Sequence, residues 1–335
     1  MKNILAAIIL VVISGIGGWF LSRYYYSPKK PEDAISQIKP RPYDKYTIEN
    51  LSSQKYPPGK IDFVKIIDET KFFSTYLVNF YFPPSFEVEN SLKTSGIINL
   101  PKGDGKYPII VMFRGYVDVE TYHSGMGTEK ASGVFATNGF ITLAPDFLGY
   151  ADSDPNSENI FESRFQTYTT ALSLINSLDQ IKQWDGKNIF IWGHSNGGQV
   201  ALTVLEISGL TYPTTLWAPV SKPFPYSILY YTDESDDRGK LIRRELANFE
   251  GTYDVELYSL TNYLDRIKSP LQIHQGTADD AVPITWTNEL VKKLEGLKID
   301  VDYIKYPGAD HNLQPSWDTV VSRDLTFFKK RLKMN

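Results

Sequence analysis

The chain has 335 residues, enough for one large domain or two small ones, and 42 % hydrophobic and 22 % charged residues suit a globular core under a soluble surface. A formal net charge of -4 without a long basic run argues against a nucleic-acid surface. There is no cysteine, which excludes disulfides, thiolate zinc sites, a cysteine nucleophile and a lipidated cysteine anchor. The four histidines, His123, His194, His274 and His311, show no His-x-x-x-His spacing, so neither a metal nor a cofactor is expected.

Ile4 to Leu21 is an uncharged run between Lys2 and Arg23. At about 1.5 Å per residue it spans roughly 27 Å, close to the hydrocarbon thickness of a bilayer. Tyr24, Tyr25 and Tyr26 follow where an interfacial aromatic belt belongs. Residues 1–23 are therefore read as a single-pass transmembrane anchor, with a cleaved signal peptide and a secreted product as the alternative. Lys29, Lys30 and Arg23 make the flank after the span the more positive, which by charge alone favours a cytoplasmic body. An exported body on a short anchor is nevertheless the reading taken, with the domain that follows the linker extracytoplasmic. Residues 24–59, rich in Pro, Lys and Tyr, read as a linker or loosely packed arm.

From Lys60 onward the pattern becomes regular. Ile61 to Ile67, Phe72 to Phe82 and Thr94 to Leu100 read as strands, and Tyr107 to Phe113 is a continuous apolar run, as expected of a strand buried on both faces. Strands and helices then alternate. Helical stretches are expected at Ala131 to Asn138, around Ser163 to Leu178, at Gln199 to Ile207, Trp286 to Leu297 and Asp318 to Leu332. Strands are expected at Phe140 to Ala144, Asn188 to Trp192, Thr214 to Pro219, Leu271 to His274 and Val301 to Tyr306. This order implies an α/β fold with a mostly parallel sheet covered by helices on both faces. One insertion, Ser221 to Lys268, breaks the rhythm. Its charged stretch Asp233 to Arg244 reads as a helix with acids in the first turn, and Tyr226, Tyr230, Tyr231, Tyr253, Tyr258 and Tyr263 are candidates to line a cleft beneath a lid.

The chemistry is signalled by "NIFIWGHSNGGQVAL", residues 188–202. Gly-x-Ser-x-Gly alone is a weak signal, but here a strand runs into Gly193-His194-Ser195-Asn196-Gly197 and a helix leaves it. That is the context a nucleophile elbow requires: a strained serine, with small residues on either side letting strand and helix approach. The helix start also frees the Asn196 N–H to receive an oxyanion. A serine hydroxyl needs a base. His194 is adjacent in sequence and diverges from Ser195, His123 lies early in a loop, and His274 sits within a strand. His311, in "YPGADHNL" just past the last strand, is left as the base. The base needs a carboxylate, and "LQIHQGTADDAVP" offers Asp279 and Asp280, whereas Asp310 is too close in sequence to reach the ring.

"GHSNGG" at 193–198, "APDFLGYADSD" at 144–154, "GTADDAVP" at 276–283 and "YPGADHN" at 306–312 together resemble the α/β-hydrolase group of prolyl oligopeptidase (S9-like) catalytic domains and dienelactone hydrolases. The resemblance covers about Lys60 to Leu332. It implies an acyl-enzyme serine hydrolase, and it selects Asp279 by its place after Gly276 and before Val282 and Pro283. Arg114-Gly115 stands where the group has His-Gly, which implies the backbone N–H of Tyr116 as second oxyanion donor and leaves Arg114 as a structural anchor or a substrate-carboxylate contact. The resemblance favours a peptidase. A membrane-anchored carboxylesterase is the alternative, since too few residues precede the fold for a gating β-propeller, and an inactive hydrolase-fold binding protein is a further one. The expected partners are a small-molecule ester or peptide and, through residues 1–23, a membrane.

Overall fold

The computed structural model describes residues 40–86, 90–232 and 236–332. The anchor expected over residues 1–23 lies outside these; among the described residues no helix is long and apolar enough to cross a membrane. By its contacts the chain divides after Pro42, and the unit Tyr43–Asn335 carries the architecture.

In chain order the elements are α1 (Ile48–Ser53), β1 (Lys60–Glu69), β2 (Phe73–Phe82), β3 (Leu92–Pro101), β4 (Tyr107–Phe113), α2 (Glu129–Thr137), β5 (Ile141–Pro145), α3 (Ile160–Ile175) and β6 (Trp184–His194). They continue with α4 (Asn196–Ser208), β7 (Thr214–Trp217), α5 (Tyr226–Leu229), α6 (Lys240–Glu250), β8 (Leu271–Gly276), α7 (Ile284–Gly296), β9 (Val301–Tyr306) and α8 (Trp317–Lys330). One nine-stranded sheet has the order β1-β2-β3-β5-β4-β6-β7-β8-β9. β1 to β3 pair antiparallel, β3 meets β5 antiparallel, and from β5 to β9 every neighbour is parallel.

The continuous apolar run of β4 has a direct cause. Ile109, Val111 and Phe113 enter the core beneath α1, α3, α4 and α7, while Ile110 and Met112 enter a second core beneath α2 and α8. A strand sandwiched this way has no polar face to show. α3 starts at Asn159, whose side-chain oxygen accepts from the Phe161 and Glu162 amides, and α4 ends at Gly209 in the left-handed region.

Two expectations are corrected. Residues 43–59 are not a loose arm: Tyr46, Ile48 and Leu51 are buried in the main core, and Tyr43 stacks on Phe249 and packs at a tilt against Tyr253. The compact domain thus begins at Tyr43, not at residue 60, because four well-spaced apolar side chains anchor an otherwise polar segment. In the insertion, the helix begins only at Lys240, without acids in its first turn. The acid lies before it, where the Asp237 carboxylate accepts from the Gly239 and Leu241 amides.

Candidate active site

β6 delivers the serine. Ser195 has φ 54° and ψ -118°, a region disfavoured for any residue with a Cβ, so the turn stores strain that its surroundings must hold. They do so through the backbone: the Ser195 N–H donates to the Trp217 carbonyl, and the Ser195 carbonyl accepts from Gly198 and Val220. The glycines are required by contact. A Cβ on Gly197 would stand 1.9 Å from the Phe113 carbonyl oxygen, and one on Gly193 would stand 2.6 Å from the Gly197 carbonyl oxygen.

β8 and β9 deliver the partners. His311 Nδ1 lies 3.0 Å from both oxygens of Asp279, whose side chain is fully buried. Asp279 Oδ1 also accepts from the Ala281 and Val282 amides, and Oδ2 from Gln275 Nε2. Burial works against the charge, but the bonds from His311, the Val282 amide and Gln275 outweigh it and hold the carboxyl below its ordinary value. Asp279 is therefore an anion that fixes the His311 ring with its Nδ1 protonated. Asp280 is exposed, and Asp310 accepts from the Asn312 and Gln314 amides of its own loop. The two loops meet at Gly276, where a Cβ would come within 2.2 Å of the Ala309 carbonyl oxygen. Among the described residues Ser195 Oγ makes no hydrogen bond.

The other histidines have separate fates. His194 Nε2 donates to the His311 carbonyl, and the rings lie 4.8 Å apart. Burial, with the His311 charge adding, lowers its pKa to about 4, so it is a neutral strut under the His311 loop. His274 is buried against Tyr306 and Asp324, and exposed His123 pairs with Glu129.

The Gly115 turn touches the serine directly, since a Cβ on Gly115 would lie 3.1 Å from Ser195 Cβ. Tyr116 follows, and among the described residues neither its amide nor that of Asn196 has an acceptor. Both residues line a cavity of about 200 Å³ together with Arg114, Phe147, Tyr150 and Arg164. Arg114, open between anchor and ligand contact from sequence, is an anchor. Its guanidinium sits 4.4 Å from the Tyr122 ring and 3.9 Å from the Tyr150 ring, and donates to the Gly115 and Asp146 carbonyls. The Asp146 carboxylate, itself buried, ties Ser95, Tyr122, Ser124 and the Gly125 amide into the same wall.

The insertion's tyrosines do not form this wall. Tyr253 and Tyr258 pack with Phe165, Phe224 and Phe249 in an aromatic cluster, and Tyr230 and Tyr231 lie against Trp286. Gln275, which orients Asp279, and Arg164 carried no sequence signal, because their partners lie in separate loops and helices.

A serine on a strained strand-to-helix turn, with a histidine–aspartate pair at the carboxyl ends of later parallel strands, defines a serine hydrolase of the α/β-hydrolase fold. Residues 130–335 match the prolyl oligopeptidase family of S9 peptidases, and the chain belongs to that family. It is 24 % identical over 270 residues to the acetyl esterase Axe7A of Xylanibacter ruminicola, covering 73 % of this chain and 58 % of that protein. It is 23 % identical over 279 residues to dipeptidyl peptidase 4 of Felis catus, covering 78 % of this chain but 31 % of the relative. The chain thus spans about half or less of the length of these curated relatives. In fold it is similar to an acetyl xylan esterase from Paenibacillus sp. R4, with a TM-score of 0.64 at 16 % identity, covering 85 % of this chain and 92 % of that one. The corresponding structure from Thermoanaerobacterium sp. has a TM-score of 0.60 at 16 % identity, covering 87 % of this chain and 94 % of that one.

Proposed function

We propose that the protein is a carboxylesterase acting on esters of small acyl groups through Ser195, His311 and Asp279. His311 Nε2 takes the Ser195 proton as Oγ attacks the ester carbonyl, and the amides of Asn196 and Tyr116 stabilise the oxyanion. His311 returns the proton to the departing alcohol. A water then attacks the acyl-enzyme with His311 again as base, releasing the acid and restoring the serine. Each oxyanion donor is worth roughly 3–4 kcal/mol of barrier.

The observation that carries the ester over the peptide is the cavity lining. Among the described residues no aspartate or glutamate faces the cavity, so a peptide's free ammonium would find no counter-charge there, whereas two arginines do line it. The length-matched solved structures named above are esterases, in keeping with this reading.

Turnover of 4-nitrophenyl acetate and of aminoacyl and dipeptidyl 4-nitroanilides, with fluorophosphonate labelling alongside, tests it. Expected are ester turnover, background amide turnover, and labelling lost in Ser195→Ala. Amide turnover equal to ester turnover, or equal labelling of the variant, would overturn it. We further propose that residues 1–23 anchor the enzyme to a membrane, supported by the uncharged run Ile4 to Leu21 and the three tyrosines after it. Release of the full chain from membranes by an alkaline wash would refute this.

A further inference from the structure

We infer that Arg164 is a specificity residue that binds a carboxylate at the far end of the acyl group, so that the substrates are half-esters of short dicarboxylic acids. The inference rests on the esterase reading above. The two arginines of the cavity differ in what is left of them. Arg114 is committed to two carbonyls and two tyrosine faces, with the buried Asp146 close behind. Arg164, half-buried on α3, has no carboxylate partner among the described residues. Its Nη2 donates to Gln199 Oε1 and reaches Ser227 Oγ only at 3.5 Å; among the described residues its Nε is buried without a partner, as is that of Arg114, so the difference lies in the terminal nitrogens and the faces they cover. Both partners are neutral, so the positive charge beside the cavity is uncompensated. A guanidinium has five donors in a fixed fork suited to a carboxylate, and withdrawing it from water without a counter-charge is costly.

Geometry assigns the anion to the acyl side. His311 protonates the departing alcohol, so the leaving group lies toward His311, and His311 is not among the residues lining the cavity. Asn196 and Tyr116 are in the lining although Ser195 is not, so the cavity opens beyond the oxyanion side of the serine, and the rest of the acyl group runs into it. Gln199, which holds Arg164, lies three residues after Asn196 on α4, about one helical turn or ~5 Å along the axis. Arg164 is thus tied to the helical turn that also carries the oxyanion amide, which calls for a short spacer, and two methylene groups are the length tested below. Hydrolysis adds one water and releases the alcohol and the dicarboxylic acid.

The test compares 4-nitrophenyl hemisuccinate with 4-nitrophenyl butyrate, which share a four-carbon acyl chain and differ in its terminal carboxylate, on the full chain with the uncatalysed rate of each ester subtracted. We expect wild type to favour the hemisuccinate in kcat/KM, mainly through KM, by about 10- to 100-fold, the range of a charge-assisted hydrogen bond. The preference should vanish in Arg164→Gln and return in part in Arg164→Lys, each with a thermal midpoint measured to confirm folding. Binding to Ser195→Ala separates the two proposals. Monomethyl succinate should bind at least about tenfold tighter than methyl butyrate, again only with Arg164 present. Equal kcat/KM for the two esters, or equal binding of the two ligands to Ser195→Ala, overturns the carboxylate site while leaving the esterase reading intact. Failure to turn over any ester overturns the esterase reading, while Arg164-dependent binding of the half-ester would still identify the anion site.

Discussion

Replacing Asp279 by asparagine tests the site at its most constrained point. The carboxylate accepts on both oxygens: Oδ1 from the Ala281 and Val282 amides, Oδ2 from Gln275, and both from His311 Nδ1. An asparagine oxygen can satisfy one side only, and its NH2 then faces donors. With the oxygen kept on the two amides, the NH2 meets Gln275 Nε2 at the 2.8 Å now spanned by a hydrogen bond. Gln275 cannot turn over freely, because its Oε1 accepts from Thr287 and its Nε2 also donates to Val282. A buried unmatched donor costs about 1–3 kcal/mol, which lowers the melting midpoint by several degrees. The same NH2 abuts His311, which then carries its proton on Nε2 and offers Ser195 no base. A wrong tautomer of this kind costs about 10⁴-fold in kcat, or roughly 5 kcal/mol of barrier. The assay is steady-state turnover of a 4-nitrophenyl ester, with the rate of fluorophosphonate labelling and a thermal melt. Asp280→Asn, on an exposed neighbour, is the control and should stay within about twofold. Asp279→Asn within about tenfold of wild type, or an equal loss in Asp280→Asn, would refute the assignment.

The remaining predictions concern pH and stability. Glu206 on α4 is fully buried, among the described residues neither of its oxygens has a hydrogen-bond partner, and burial raises its pKa well above the ordinary 4.5. An acid with a raised folded pKa favours folding below its unfolded pKa and weakens it as pH rises. Glu206→Met should therefore stabilise by about 1–3 kcal/mol at pH 8 and by less at pH 5 in urea unfolding, and a larger gain at pH 5 reverses the sign of the argument. Leu51→Ala should cost about 2–5 kcal/mol, because its side chain is completely buried; a cost below about 0.5 kcal/mol would return residues 43–53 to the status of an arm.

The alternation of strands and helices, the two-sided burial of Tyr107 to Phe113 and the elbow at Ser195 were legible in the chain, because each is written in neighbouring residues. Periodicity, an apolar run and glycine spacing act over a turn or a strand. Asp279 and His311 were legible as well, since both stand at strand ends within recognisable loop sequences. What the tertiary structure decided are matters between segments remote in sequence. It buried Tyr46, Ile48 and Leu51, drew Tyr253 and Tyr258 into the core, and bonded Gln275 to Asp279. It committed Arg114 to tyrosine faces and carbonyls, and left Arg164 with its charge beside the cavity. Residue type states that an arginine needs partners; only the packing of α3 against α4 determines that, here, no carboxylate of the described residues supplies one.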